Sequence, residues 1–145
     1  MKLRNLALAL ALATVTQLSL ADDMSKTTAK DVGRKAEDTG KAIGSYTIAE
    51  RDKAIKSAQA ALADADARMR RMDRKLEREW EQMDQAARKK ARAAQNALRK
   101  QRGEAAEWYG RLKDASAESW EEVKSGFVKS YEDLKDSLAR AGKAL

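Results

Sequence analysis

The chain has 145 residues, with 30 Lys or Arg and 23 Asp or Glu, and its formal net charge is +7. It contains no His, Cys or Pro. The missing His and Cys exclude histidine acid–base catalysis, thiol nucleophiles, the usual zinc ligands and disulfides. Abundant Ala, Lys, Glu and Arg without Pro are typical of long helices.

Residues 1–21 have the pattern of a secretory signal peptide. A basic start and a Leu- and Ala-rich stretch precede the small residues Ser19 and Ala21. We expect cleavage after Ala21 and a periplasmic location, with a cut after Ala13 as the alternative. A retained membrane anchor is disfavoured because polar residues interrupt an apolar run shorter than the ~20 residues that span a bilayer.

Residues 22–46 carry only a weak helical pattern. Gly33, Gly40 and Gly44 interrupt it, and each costs about 1 kcal/mol relative to Ala inside a helix. We therefore expect a flexible or partly helical arm. This arm is either a solvated tail or a tether that becomes ordered on a partner.

Residues 47–141 are predicted to form a coiled-coil helical region. Thr47 and Glu50 match a capping box at its start. From Ile55 to Met83 the apolar residues recur every seven positions, which is typical of a coiled-coil seam of left-handed tendency. The Met residues in this seam are interpreted as core rather than as Cu(I) ligands.

From Leu76 to Leu138 the apolar period lengthens to eleven residues. Eleven residues in three turns is close to the helical repeat, so the apolar residues form one nearly axial stripe. A lone helix would leave this stripe in water, and a second copy of the chain is the simplest partner. The predicted protein- or lipid-binding face consists of Trp108, Tyr109, Leu112, Trp120, Val123, Phe127, Tyr131, Leu134 and Leu138.

Gly103 is the one candidate break in this region. The eleven-residue columns continue in phase across it, which favours a continuous helix. Residues 68–102 carry 13 basic and 5 acidic side chains, whereas residues 103–136 carry 5 basic and 9 acidic ones, so a fold-back would bring opposite charges together. Because Gly103 offers little loop, we favour an all-α fold with one continuous or gently bent helix over a hairpin.

A basic patch follows the heptad region. An anionic lipid surface, the acidic half of another copy, and a solvated helix face are all reasonable interpretations. Nucleic acid is disfavoured, because the chain is predicted to be exported and no aromatic residues alternate with these cations. The patch consists of Arg88, Lys89, Lys90, Arg92, Arg99, Lys100 and Arg102.

Three successive elevens begin at Tyr109, Trp120 and Tyr131, as YGRLKDASAES, WEEVKSGFVKS and YEDLKDSLARA. This pattern resembles the eleven-residue amphipathic repeats of exchangeable apolipoproteins and late-embryogenesis-abundant proteins. The resemblance implies lipid-surface binding or protection during water stress. The chain lacks the prolines of the first family, and its aromatic residues depart from the second.

These features favour a non-enzymatic periplasmic coiled-coil protein. We expect a self-associating structural, adaptor or holdase-like element of the cell envelope, in contact with itself or with an envelope protein. The alternative is an amphipathic helical protein that binds anionic membrane surfaces. We expect no cofactor, no metal and no small-molecule substrate, because one or two amphipathic helices provide no enclosed pocket.

Overall fold

The computed structural model describes residues 39–144. Every regular element in this range is helical, so the predicted all-α class is confirmed. The predicted signal peptide and residues 22–38 of the predicted arm lie outside the described residues. The elements are α1 (39–45), a 3-10 turn (Ile48–Glu50), α2 (Arg51–Glu79), a second 3-10 turn (Trp80–Gln82), α3 (Gln85–Asp114) and α4 (Trp120–Ala144).

The three long helices pack side by side in antiparallel order. Asp66 and Asp73 of α2 bind Arg102 and Gln95 of α3, respectively, so the two helices run in opposite directions. The helix α4 then returns along α3 and makes its most extensive contact there. Near the end of α4, Gly142 lies next to Met72 of α2. The result is an up-down-up bundle formed by one chain.

The prediction of one continuous or gently bent helix is wrong. The helix α3 passes through Gly103 without a break, and the chain turns instead at residues 80–84 and 115–119. At the first turn Met83 and Asp84 are extended, and the Asp84 carboxylate accepts the Ala87 amide at 2.7 Å. Asp84 is thus the N-cap of α3, and it stabilises a helix start where no Gly or Pro occurs.

The second turn is held by two serines. The Ser116 amide donates to the Ser119 hydroxyl at 3.0 Å, and the Ser119 amide donates back to the Ser116 hydroxyl at 3.2 Å. The Val123 amide donates to the Ser119 carbonyl at 3.0 Å, which begins the hydrogen bonding of α4. These local bonds satisfy backbone amide and carbonyl groups that have no partner within a helix, because they lie between the end of α3 and the start of α4.

The core lies where the three long helices and α1 meet. Its largest fully buried side chains are Trp120, Phe127, Ile43, Leu112 and Leu134. The residues that α2 buries are mostly alanines, so this helix adds little side-chain volume to the core.

Two hydrogen bonds from α4 to the Tyr46 carbonyl attach the segment before α2 to that helix. The Trp120 indole and the Lys124 ammonium each donate to the Tyr46 carbonyl at 3.0 Å. Lys124 is buried, and its charge is balanced by Glu121 at 2.8 Å. This arrangement fixes Tyr46 against the first turns of α4.

Candidate functional site

The structure places the predicted binding face inside the bundle. Six of its nine residues are buried, and the other three are partly buried. The apolar stripe therefore packs against the chain's own helices, which corrects the expectation that it faces a partner or a lipid surface. The buried six are Leu112, Trp120, Phe127, Tyr131, Leu134 and Leu138, and the partly buried three are Trp108, Tyr109 and Val123.

Two of these aromatic residues illustrate how closed the core is. The rings of Phe127 and Tyr131 are stacked with centroids 6.2 Å apart, and burial raises the pKa of the Tyr131 phenol. Within residues 39–144 the one large apolar side chain that is clearly exposed is Ile48, at 38%. No helix in this range is long and apolar enough to cross a bilayer. An apolar docking face is therefore not the candidate site.

Of the predicted basic patch, Arg102 has a structural role. Its guanidinium makes two hydrogen bonds to the Asp66 carboxylate, at 2.6 and 3.0 Å. These bonds hold the pKa of Asp66 below its ordinary value. Arg102 thus joins α3 to α2 and is not open to a ligand.

The other six patch residues remain on the outer side of α3, where Arg88 is partly buried and the rest are exposed. At 3.6 residues per turn, Arg88, Arg92 and Arg99 share one face of the helix. Lys89 and Lys100 lie beside that face. Lys90 points in another direction, so the sequence cluster is not a single surface.

Trp80, which lies at the turn between α2 and α3, is not among the predicted site residues. The Cζ atoms of Arg88 and Arg92 lie 5.2 and 5.0 Å from the centroid of its ring system. The Arg88 Nε also donates to the Trp80 carbonyl at 3.1 Å. Both guanidinium groups are thus held beside one indole, where cation–π attraction favours them. This cluster could not be recognised from the sequence, because the turn that brings Trp80 beside α3 was not predicted.

An open groove of about 410 Å³ lies beside this cluster. Its lining consists of Gln85, Arg88, Lys89 and Arg92, so it contains three cations and no acidic residue. A larger depression of about 590 Å³ lies near the other turn, but it is shallow and its lining includes Glu107, Arg111 and Asp114. Because all the charged residues that line the groove beside Trp80 are positive, this groove is the better candidate for a binding site.

Charge is also separated along the whole bundle. Residues 68–102, with net charge +8, form the hairpin end of α2 and α3. Arg140 and Lys143 join this end, because α4 finishes beside Met72. We call this region the cationic half. Residues 103–136, with net charge −4, include the opposite turn and its acidic side chains.

Within residues 39–144 no group of three or more Asp or Glu residues is arranged to hold a metal ion. The seam methionines Met69 and Met72 pack against the core. No protein-family model, curated protein sequence or solved structure matches the chain. The resemblance to apolipoprotein and stress-protein repeats therefore stays a prediction.

Proposed function

We propose that this chain is a non-enzymatic helical adaptor of the periplasmic cell envelope. In this role it attaches to anionic membrane surfaces through its cationic half. The periplasmic location rests on the predicted signal peptide, and the non-enzymatic role on the lack of His and Cys. The single observation that carries the proposal is the excess positive charge of the cationic half, where residues 68–102 alone have a net charge of +8.

The proposed attachment is electrostatic and peripheral. The apolar stripe is occupied by the core, and Ile48 is the one large apolar side chain in the described range that is clearly exposed. Each Lys or Arg near an anionic leaflet contributes on the order of 1 kcal/mol, and this attraction weakens as salt shortens the Debye length. Binding should therefore be strong at low ionic strength and weak at high ionic strength.

Vesicle co-sedimentation tests the proposal. The purified chain is mixed with vesicles of phosphatidylglycerol and phosphatidylcholine, and with vesicles of phosphatidylcholine alone, at low and high salt. We expect the chain to pellet with the anionic vesicles at low salt only. Pelleting with the neutral vesicles would indicate apolar insertion instead, and no pelleting with the anionic vesicles at low salt would exclude the proposed attachment.

Self-association is the second candidate, now through charge rather than through the apolar stripe. The acidic side chains Asp114, Glu118, Glu121 and Glu122 lie around the α3–α4 turn, at the end opposite the cationic half. Copies arranged head to tail would bring these two ends together. Sedimentation velocity distinguishes this candidate: it requires a salt-sensitive oligomer, and a monomer at low salt would contradict it.

A further inference from the structure

We propose that the groove beside Trp80, lined by Gln85, Arg88, Lys89 and Arg92, is a binding site for a phosphate group. The proposal rests on the proposed function for the source of that phosphate, which is an envelope lipid headgroup. It goes further by assigning the contact to one groove within the cationic half and by naming the chemical group that it binds.

Within residues 39–144 the three cations of the groove have no carboxylate partner. By contrast, two other cations of the cationic half do have a carboxylate partner, in the pairs Arg68–Asp64 at 2.8 Å and Arg102–Asp66 at 2.6 Å. Unneutralised positive charge collected in a concave site raises the local concentration of anions. The groove therefore gathers three cations whose charge is not neutralised by a carboxylate of the described residues.

The fold positions the two guanidinium groups of the groove before any ligand arrives. Both lie about 5 Å from the centroid of the same indole, so their Cζ atoms are at most about 10 Å apart. Two long side chains can reach one tetrahedral anion across such a separation with small rotations. Because Arg88 is also held by the Trp80 carbonyl, less conformational entropy is lost on binding.

Asp84 is the acidic residue adjacent to the groove in sequence. Its carboxylate accepts the Ala87 amide at 2.7 Å as the cap of α3 and does not line the groove. The donors that remain are two planar guanidinium forks, one ammonium and the Gln85 amide. Phosphate has several charged acceptor oxygens and matches this set of donors.

Titration with inorganic phosphate, followed by NMR of the arginine Nε–H and tryptophan indole signals, tests the chemistry. Sodium chloride at equal ionic strength is the reference. We expect saturable shifts at Arg88, Arg92 and Trp80, with affinity roughly tenfold or more weaker in R88Q/R92Q. The matched control is R99Q/K100Q, which removes the same charge from the same helix and should bind phosphate as the unchanged chain does.

R88Q also removes the bond to the Trp80 carbonyl, so K89Q/R92Q serves as a second variant that keeps that bond. Thermal melting of each variant shows that the bundle has folded. Shifts that are the same with phosphate and chloride, or an equal loss of phosphate affinity in the R99Q/K100Q control, would overturn the site.

Vesicle binding by the same variants separates this proposal from the proposed function. Greater loss of phosphatidylglycerol binding in K89Q/R92Q than in R99Q/K100Q supports a headgroup in the groove. Equal losses would overturn the site as the point of attachment and leave the attachment of the cationic half intact. Saturable phosphate binding without vesicle binding would overturn the lipid source and support a site for free phosphate.

Discussion

Arg102 of α3 and Asp66 of α2 form a two-pronged ion pair, with Nε–Oδ1 at 2.6 Å and Nη2–Oδ2 at 3.0 Å. The hydrogen bonds from Arg102 lower the pKa of Asp66 from its ordinary 3.8. A carboxyl whose folded-state pKa is lowered stabilises the fold at pH values above its ordinary pKa. This contribution is lost as the pH falls through the lowered value.

The substitution Asp66→Asn should therefore destabilise the bundle near neutral pH and have little effect at low pH. We expect a loss of about 1 kcal/mol or less, since both side chains are partly solvated. Urea unfolding at several pH values measures the difference. Asp133→Asn is the control, because Asp133 forms an exposed pair with Lys129 within one helix. If the free energies of unfolding of wild type and D66N still differ in acid, the loss of stability does not come from this ion pair.

Two glycines should respond to the same substitution in opposite directions. A Cβ atom at Gly126 would overlap the Trp108 ring, whereas a Cβ atom at Gly103 would meet no atom within 4 Å. We expect Gly126→Ala to cost about 1–3 kcal/mol, because a packed helix interface must separate. Gly103→Ala should stabilise α3 by up to about 1 kcal/mol through helix propensity.

Calorimetric melting of both variants tests this pair of expectations. The two positions lie in helices of the same bundle and undergo the same chemical change, so each is the control for the other. An increase in Tm for Gly126→Ala would show that Trp108 does not lie against α4 as described.

The Trp120 indole should hold Tyr46 in place. The substitution Trp120→Phe removes one of the two donors to the Tyr46 carbonyl, and a hydrogen bond of this kind contributes about 1 kcal/mol. Because Trp120 is fully buried, the smaller ring also leaves a cavity that weakens the bundle as a whole. Hydrogen exchange should become faster at residues 39–46, with smaller changes in α3. Lys129→Gln alters an exposed side chain of the same helix and should leave the exchange unchanged. Equal acceleration along the whole chain would indicate global destabilisation instead.

The bundle should be stable without a partner. Trp120, Phe127 and Leu134 are already buried by the chain's own helices, so dilution exposes no apolar surface. We expect the helix content and Tm to be independent of protein concentration, as measured by circular dichroism across a dilution series. A Tm that falls on dilution would show that burial depends on a second copy.

Much of the fold could be predicted from the periodic apolar residues. The eleven-residue columns that contain Leu112, Trp120, Phe127 and Leu134 supply much of the core. Their partner could not be predicted, because a stripe that continues in phase looks the same in one long helix and in two helices that face each other. The all-α class could be predicted from this pattern. The antiparallel packing of the helices could not, because it depends on the two short turns at residues 80–84 and 115–119.

Those turns carried signals that were weaker than Gly or Pro. Asp84 is a good N-cap residue, and Ser119 followed by Glu122 has the spacing of a capping box. Gly103 was the more conspicuous breaker, yet an exposed Gly within a helix costs only about 1 kcal/mol and α3 tolerates it. The candidate site could be predicted only in part. Its cations are conspicuous in the sequence, but Arg88 and Arg92 come together around Trp80 only because the chain turns at residues 80–84.

The uneven distribution of charge along the bundle has a consequence for how the molecule meets its surroundings. Excess positive charge at the α2–α3 turn and excess negative charge at the α3–α4 turn give it a large permanent dipole moment. Near a negatively charged plane, the field exerts a torque on that dipole before any contact is made. The bundle should therefore approach with its long axis perpendicular to the plane, so that Trp80 lies nearest to the plane and Ser116 farthest from it.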